Sequence, residues 1–192
     1  PIPEGSIVIS GEGEYEVKGA LINGFSFFHP HTIKSREEIC EGAITTFRKT
    51  STSMVHEKNG VGVHAHEGAS VLRKSTIYTI VVEGVTLCHL DNAAPKQVEA
   101  ILEKIGEVDV LMVPVGGAHH AGKEEIHMLD AEAAASLVGE IEPRIVIPMY
   151  YKIPGLTISL DTADAFLKAM GVLHGVEPVD KLTVKKKDLP QE

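Results

Sequence analysis

A chain of 192 residues, 43% hydrophobic and 23% charged, has the make-up of an ordinary soluble globular protein, which excludes disordered and fibrous classes. That length suits one well-packed domain, taken as residues 1–192. With 27 acidic against 18 basic residues the formal net charge is −9, so the surface as a whole repels phosphate backbones and a nucleic-acid partner is excluded.

No apolar run approaches the length of a membrane span, and no charged start leads into an apolar block like that of a signal peptide. A membrane partner is therefore excluded and a cytoplasmic location is expected. Cys40 and Cys88 are too few for a disulfide framework or a thiolate zinc site, and Cys88 in VTLCHL reads as a small buried apolar residue. Ten histidines are the unusual count, and histidine is the commonest metal ligand.

Taken along the chain, the first part reads as all-β. Ser6 to Ser10 (SIVIS), Glu14 to Gly19 (EYEVKG) and Ala20 to Phe28 (ALINGFSFF) are short, β-branched and aromatic segments punctuated by glycine, and a meander of antiparallel strands accounts for them. Ser35, with Glu38 three places on, marks the start of a short helix in SREEICEGAITTF. The glycine-rich GVGVHAHEG that follows is a hairpin arm or a loop.

STIYTIVVEGVTLCHL predicts two strands joined at Glu83-Gly84. In PKQVEAILEKIG the apolar Val98, Ile101, Leu102 and Ile105 recur at helical spacing, with Pro95 in the first turn and Gly106 as the stop. DVLMVPV is a continuous apolar run of the kind a sheet buries on both faces. Asp130 then caps a helix bearing Ala134, Leu137, Val138 and Ile141 on one face, and RIVIPMY follows as a second buried strand. A third helix is capped by Asp161, with Ala163, Phe166, Leu167 and Met170 on one face. KLTVKKK alternates as a terminal strand whose Lys185-Lys186-Lys187 run is a solvated edge. This succession implies an α/β fold with crossover units on a parallel or mixed sheet.

In such sheets ligands bind beyond the carboxyl ends of the strands. Three ends carry chemistry here: His89-Leu90-Asp91-Asn92, then Gly116-Gly117-Ala118-His119-His120, then Tyr150-Tyr151-Lys152. Neighbouring strands would bring these groups to one cleft. Each has a plainer role beside the functional one. Asp91 and Asn92 are good caps for a helix starting near Pro95, and His89 suits a hydrogen-bonded core position as well as a ligand. Gly116-Gly117 turns the chain or lets backbone N–H groups approach an anion. His119 and His120 are adjacent, so in extended backbone they face opposite ways. His64 and His66, at i and i+2, put two imidazoles on one side of a strand, and His29 or His31 closes another. No nucleophile elbow, P-loop or dinucleotide fingerprint is present.

GEGEYEVKGALINGF, STIYTIVVEGVTLCHL, IGEVDVLMVPVGG, DAEAAASLVGEIEPRIVIPMYYKIPG and DAFLKAMG, in that order, resemble a bacterial and archaeal branch of the metallo-β-lactamase superfamily, the zinc-dependent hydrolases akin to sugar-phosphate lactonases. The resemblance covers about Ile7 to Gly171, apart from roughly His29 to Arg73 and Ala118 to Met128. It implies an αβ/βα sandwich with a metal site at the sheet edges. It also implies hydrolysis by a metal-bound hydroxide, with zinc or another divalent metal as cofactor.

The same resemblance shows which residues differ. The family's His-x-His-x-Asp-His signature lies upstream of the block resembling GEGEYEVKG, and a chain starting at Pro1 leaves no room for it, so the fold is expected to be incomplete at the N-terminus. Where relatives read His-Leu-Gly-Asp, with the aspartate bridging metals, this chain has His89-Leu90-Asp91-Asn92. Where they read Pro-Met-His-Tyr, it has Pro148-Met149-Tyr150-Tyr151. His29 matches a family histidine, but the following Asp is Pro30 here. An amide is a poorer zinc ligand than a carboxylate.

The leading expectation is a hydrolase-like protein with a degenerate metal site and weak or absent hydrolytic activity, holding zinc, another divalent metal or none. A divergent metal-dependent hydrolase of a lactone or phosphate ester is the alternative, with ligands drawn from His29, His64, His66, His89, Asp91, His119 and His120. Asp91 and Tyr150 are its candidates for catalysis, and Asn92, Gly116, Gly117, Tyr150 and Lys152 for contacts with a small-molecule ligand. A third reading is a non-catalytic interaction protein, a homo-oligomer whose second copy covers a sheet edge.

Overall fold

A computed structural model describes residues 7–9, 11–32, 45–46, 49–50, 53–54, 70–121, 124–172, 176–177 and 179–190. Its strands are β1 (Gly13–Val17), β2 (Ala20–Thr32), β3 (Thr45–Thr46), β4 (Lys49–Thr50), β5 (Ser53–Met54), β6 (Ser70–Val82), β7 (Val85–His89), β8 (Val110–Pro114), β9 (His119–Ala121), β10 (Glu124–Ile126) and β11 (Ile145–Met149). The helices are α1 (Pro95–Glu99), α2 (Leu102–Ile105), α3 (Ala131–Ile141) and α4 (Ala163–Ala169).

Glu83 and Gly84 both have positive φ, 50° and 77°, and this left-handed pair matches the natural twist of the two strands it joins. It sets the antiparallel register of β6 and β7 from Val82 opposite Val85 to Tyr78 opposite His89. The main sheet runs β1-β2-β6-β7-β8-β11, and β3 joins β6 along Val71 and Leu72. β1, β2, β6 and β7 are antiparallel neighbours, whereas β7, β8 and β11 run parallel. Parallel neighbours need a crossover. α1 and α2 supply it between β7 and β8, and α3 between β8 and β11.

β8 explains the unbroken apolar run DVLMVPV: Val110, Leu111 and Val113 are buried, as is Val115 just beyond. With strands on both sides and no exposed face, alternation is not required of it. Around it pack Ile77, Cys88, Leu90, Val98, Ile105, Leu129, Ala134, Leu137, Val138 and Phe166. Each such side chain removed from water contributes roughly 1.5–3 kcal/mol. Burial alone pushes the Cys88 thiol up to about 12, so it serves as a small core side chain, as the sequence suggests.

The structure departs from the sequence reading at five elements. Ile7 to Ile9 of SIVIS is not in a strand; Ile7 and Val8 are exposed, and the contact there is made by the Tyr78 hydroxyl with Gly11 N–H (3.1 Å). The single helix expected over PKQVEAILEKIG is split, because Ile101 leaves the helical basin (φ −123°, ψ 2°) and its N–H bonds back three residues to Val98. RIVIPMY forms β11, but as a half-buried edge of the sheet; Pro148, which has no N–H to donate, is at home there. α4 is preceded by Thr162 rather than capped by Asp161, with Phe166 buried and Met170 exposed. The Ser35 helix lies outside the described residues except for Thr45 and Thr46, which are extended in β3. GVGVHAHEG lies wholly outside them. The cap at Asp130 is as expected: its Oδ1 accepts the Ala133 N–H at 2.8 Å.

KLTVKKK is the fifth departure. It is not a strand, and Lys186–Asp188 form a single 3-10 turn. Lys186 is drawn out of the expected solvated edge by Asp109, whose two carboxylate oxygens each take a hydrogen bond from Nζ at 2.8 Å. Asp109 also accepts the Thr86 N–H (2.9 Å), and the Arg144 guanidinium stands 3.7 Å away. Burial pushes the Asp109 carboxyl upward, but the Lys186 and Thr86 hydrogen bonds and the two cationic charges outweigh it and hold it below its ordinary range. A carboxyl depressed on folding stabilises the fold above the unfolded carboxylate range and loses that contribution as pH falls through its native value. Asp109→Asn is therefore expected to lower stability at neutral pH by about 1–3 kcal/mol, with a difference from wild type that shrinks on acidification, as read by urea unfolding at a series of pH values.

Candidate functional site

Because β7, β8 and β11 are parallel and adjacent, their carboxyl ends lie at one end of the sheet, in register His89 opposite Met112 and Met149 opposite Pro114. β2 and β6 run antiparallel to each other, and Phe27 pairs Ser75 while His29 pairs Arg73, so the second half of β2 and the first half of β6 reach the same end. The three chemistry-bearing strand ends read from the sequence are thus neighbours.

Beyond β7 the chain makes a tight turn, with Leu90 N–H bonded to Met112 O (3.1 Å) and Ala93 N–H to Leu90 O (3.2 Å). Asp91 sits in this turn with φ 54°, a left-handed conformation that Asp tolerates better than most residues. Its N–H donates to His89 Nδ1 at 3.2 Å, and its Oδ1 accepts the Tyr150 hydroxyl at 3.3 Å. Asn92 Oδ1 accepts the Ser75 hydroxyl at 2.8 Å. Neither Asp91 nor Asn92 caps the helix ahead: the residue before α1 is Ala94, and no side chain bonds its first turn. The capping role is thereby corrected. The cause lies in the turn, which spends both side chains on β11 and β6 before the helix begins.

Tyr150, the residue just after β11, is in the same unusual backbone state, φ 53°, and is 44% exposed. Desolvation first, then the Asp91 charge and the hydrogen bond to it, push its phenol above the ordinary tyrosine range. Its carbonyl oxygen passes so close to Gly116 that a Cβ there would overlap it, which is the physical reason for a glycine at that position. The Gly116 carbonyl in turn accepts the Asp161 N–H (3.1 Å), and the Gly117 N–H is spent on Leu129 O (3.0 Å). Lys152 Nζ donates to Leu156 O (2.5 Å) and Ile158 O (2.8 Å), closing its own loop.

The structure thus brings His89, Asp91, Asn92 and Tyr150 together, with Gly116 and Gly117 shaping the adjoining loop. His29 is on β2 opposite Arg73, at the same end of the sheet. His119 and His120 are extended in β9, opposite Ile126 and Glu125 of β10. His64 and His66 lie outside the described residues. Ser75 was not singled out by sequence reasoning. It is an ordinary strand serine, and only the pairing of β6 with β7 makes it a neighbour of Asn92.

A family model described as a beta-lactamase superfamily domain matches residues 1–150, and the chain belongs to that family. Its fold is of the metallo-β-lactamase type. Over 84% of this chain it superposes, with a TM-score of 0.51 and 25% sequence identity, on 58% of a provisionally assigned Zn-dependent hydrolase of the metallo-beta-lactamase superfamily from Thermotoga maritima. Among curated proteins it is 28% identical over 141 residues to a UPF0173 metal-dependent hydrolase of Anaeromyxobacter dehalogenans, covering 72% of this chain and 46% of that one. It is 36% identical over 75 residues to one from Pyrococcus furiosus, covering 38% of this chain and 30% of the relative. The chain spans half the length, or less, of these curated relatives.

Two outcomes follow from the site geometry. Gly116→Ala is expected to destabilise the protein by about 2 kcal/mol or more in thermal or urea unfolding, because the atom in its way is backbone that belongs to β11's end. Asp91→Asn is expected to bring the Tyr150 phenol down toward the ordinary range by removing the charge beside it, while Tyr150→Phe identifies its share of the tyrosinate absorbance rise in an alkaline titration.

Proposed function

We propose that this protein is a metallo-β-lactamase-fold, hydrolase-like protein that binds a small molecule at the carboxyl ends of β7, β8 and β11, with a metal site reduced to the point of weak or absent hydrolysis. One observation carries the reading: the side chains standing at the family's ligand positions are paired with other side chains. Asn92 is held by Ser75, and Tyr150 is held to Asp91.

The relatives' names point to a metal, so the donor set is the test of fit. His89 presents Nδ1 to the Asp91 amide, Asn92 offers a neutral oxygen already accepting a hydroxyl, and the phenol at Tyr150 stays protonated. Hard and borderline divalent ions need deprotonated, outward lone pairs converging from several ligands. Among the described residues no three His, Cys, Asp or Glu side chains gather to supply them. The described set does not by itself supply the ligands of a di-metal hydrolase, and no catalytic step is assigned through a metal.

His29 favours the alternative of a rebuilt metal-dependent hydrolase, since its strand reaches the same end of the sheet as His89. The two readings separate on metal content and turnover. In protein purified in the presence of zinc and manganese, elemental analysis is expected to find well under one metal per chain, and turnover of simple lactone and phosphate-ester probes to stay near background. The triple change Asp91→Gly, Asn92→Asp and Tyr150→His, which restores the family pattern, is expected to tighten zinc binding by roughly tenfold or more, about 1.4 kcal/mol. Stoichiometric metal in the wild type, lost together with turnover in a His29→Ala, His89→Ala variant, would overturn the reduced-site reading.

A further inference from the structure

The 3-10 turn Lys186–Asp188 is fastened to the sheet by charge, at the end opposite the candidate site. Lys186 Nζ donates to both carboxylate oxygens of Asp109, the residue just before β8, at 2.8 Å. Arg144, just before β11, donates from Nη1 to the Pro190 carbonyl at 3.1 Å and places Nε 3.7 Å from Asp109 Oδ1. Between these two fastenings Leu189 is buried, 4% exposed. Of the described residues between Val172 and Lys185 none belongs to a helix or strand, and Val176, Val179 and Leu182 are exposed. Asp109, by contrast, is fixed without the turn. Its N–H bonds Thr86 O (2.9 Å), its carbonyl accepts the Arg144 and Ile145 N–H groups (3.0 and 2.9 Å), and its Oδ2 accepts the Thr86 N–H (2.9 Å).

We propose that Lys186–Pro190 is a clasp that opens and closes as one unit while the sheet stays folded, with Asp109 as the fixed post that holds it shut. The asymmetry of the ion pair is what makes opening separable from unfolding. The Lys186 side chain is 53% exposed and that of Asp109 8%, so opening returns an ammonium to water while the carboxylate stays in its place. The carboxylate is not orphaned there, because the Arg144 charge and the Thr86 N–H remain beside it. Against the entropy of ordering the segment, the clasp sets one buried leucine and a few hydrogen bonds, so the charged pair decides whether it is shut. The charged groups that face Asp109 are Lys186 from the turn and Arg144 from the chain ahead of β11, and β7 contributes the Thr86 N–H. Together they hold its carboxyl below the ordinary range, so the clasp is shut above that range and is released as pH falls through the native value.

The test uses the full chain, isotope-labelled, with the backbone amides of Asp188 and Leu189 as reporters of the clasp and those of Leu111 and Val113 as reporters of the sheet. Their mobility is read by NMR relaxation. At neutral pH both sets are expected to be equally rigid in the wild type. Lys186→Met keeps the apolar stem and removes the charge, and is expected to raise the open population roughly tenfold or more, loosening Asp188 and Leu189 while Leu111 and Val113 keep their native signals. Lys186→Arg retains a cation and is expected to keep the clasp largely shut. Acidifying the wild type is expected to loosen the clasp reporters at a higher pH than the sheet reporters. A clasp that stays rigid in Lys186→Met, or clasp and sheet reporters that loosen together in that variant or in acid, would overturn the proposal.

Discussion

The burial of β8 between two parallel neighbours is the constraint on which the rest depends. Val110, Leu111 and Val113 are in the interior, and this apolar strand holds β7 and β11 in parallel register on either side. Parallel pairing forces each chain exit to the same end, and the crossovers through α1, α2 and α3 return the chain to the other. The convergence of His89, Asp91, Asn92 and Tyr150 is therefore a consequence of hydrophobic burial two strands wide. Their chemistry is set afterwards by what each side chain finds at the end of its strand.

What they find is one another. In the family pattern the end of β7 and the end of β11 supply lone pairs to a common external group. Here a hydroxyl on β6 and the Tyr150 phenol just after β11 supply protons to the same turn. Each of these hydrogen bonds contributes only about 0.5–1.5 kcal/mol, and the surface-exposed one less. They bridge elements far apart in sequence, though, Ser75 to Asn92 and Asp91 to Tyr150. They tie β6 and the end of β11 to the turn after β7.

Much of this was legible in the residues. The Glu83-Gly84 turn, the doubly buried β8, the Asp130 cap and the apolar stripe of α3 each rest on a local rule that the tertiary structure had no reason to override. The elements misread are those where a distant partner decides. Lys186 alternates with apolar residues like a strand, yet a buried carboxylate 77 residues away takes its ammonium. Asp91 and Asn92 are good capping residues by type, yet Tyr150 and Ser75 reach them first. Cap preference is worth about 1 kcal/mol, which a tertiary hydrogen bond matches, so sequence alone could not rank them. The strand-end cluster itself was readable as a set of neighbours, but which atom of each side chain is already taken depends on partners distant in sequence.

The backbone of the β7 turn also bears on how this sequence could have arisen. At φ 54° the position of Asp91 admits glycine freely and asparagine or aspartate at small cost, while a β-branched side chain there would be strained. The set of residues tolerated at this point is therefore imposed by the chain's path out of β7 and is indifferent to whatever binds nearby. A carboxylate and a glycine can therefore occupy this position without a different path for the turn. The backbone path out of β7, and not any bound group, thus decides which side chains this position can carry.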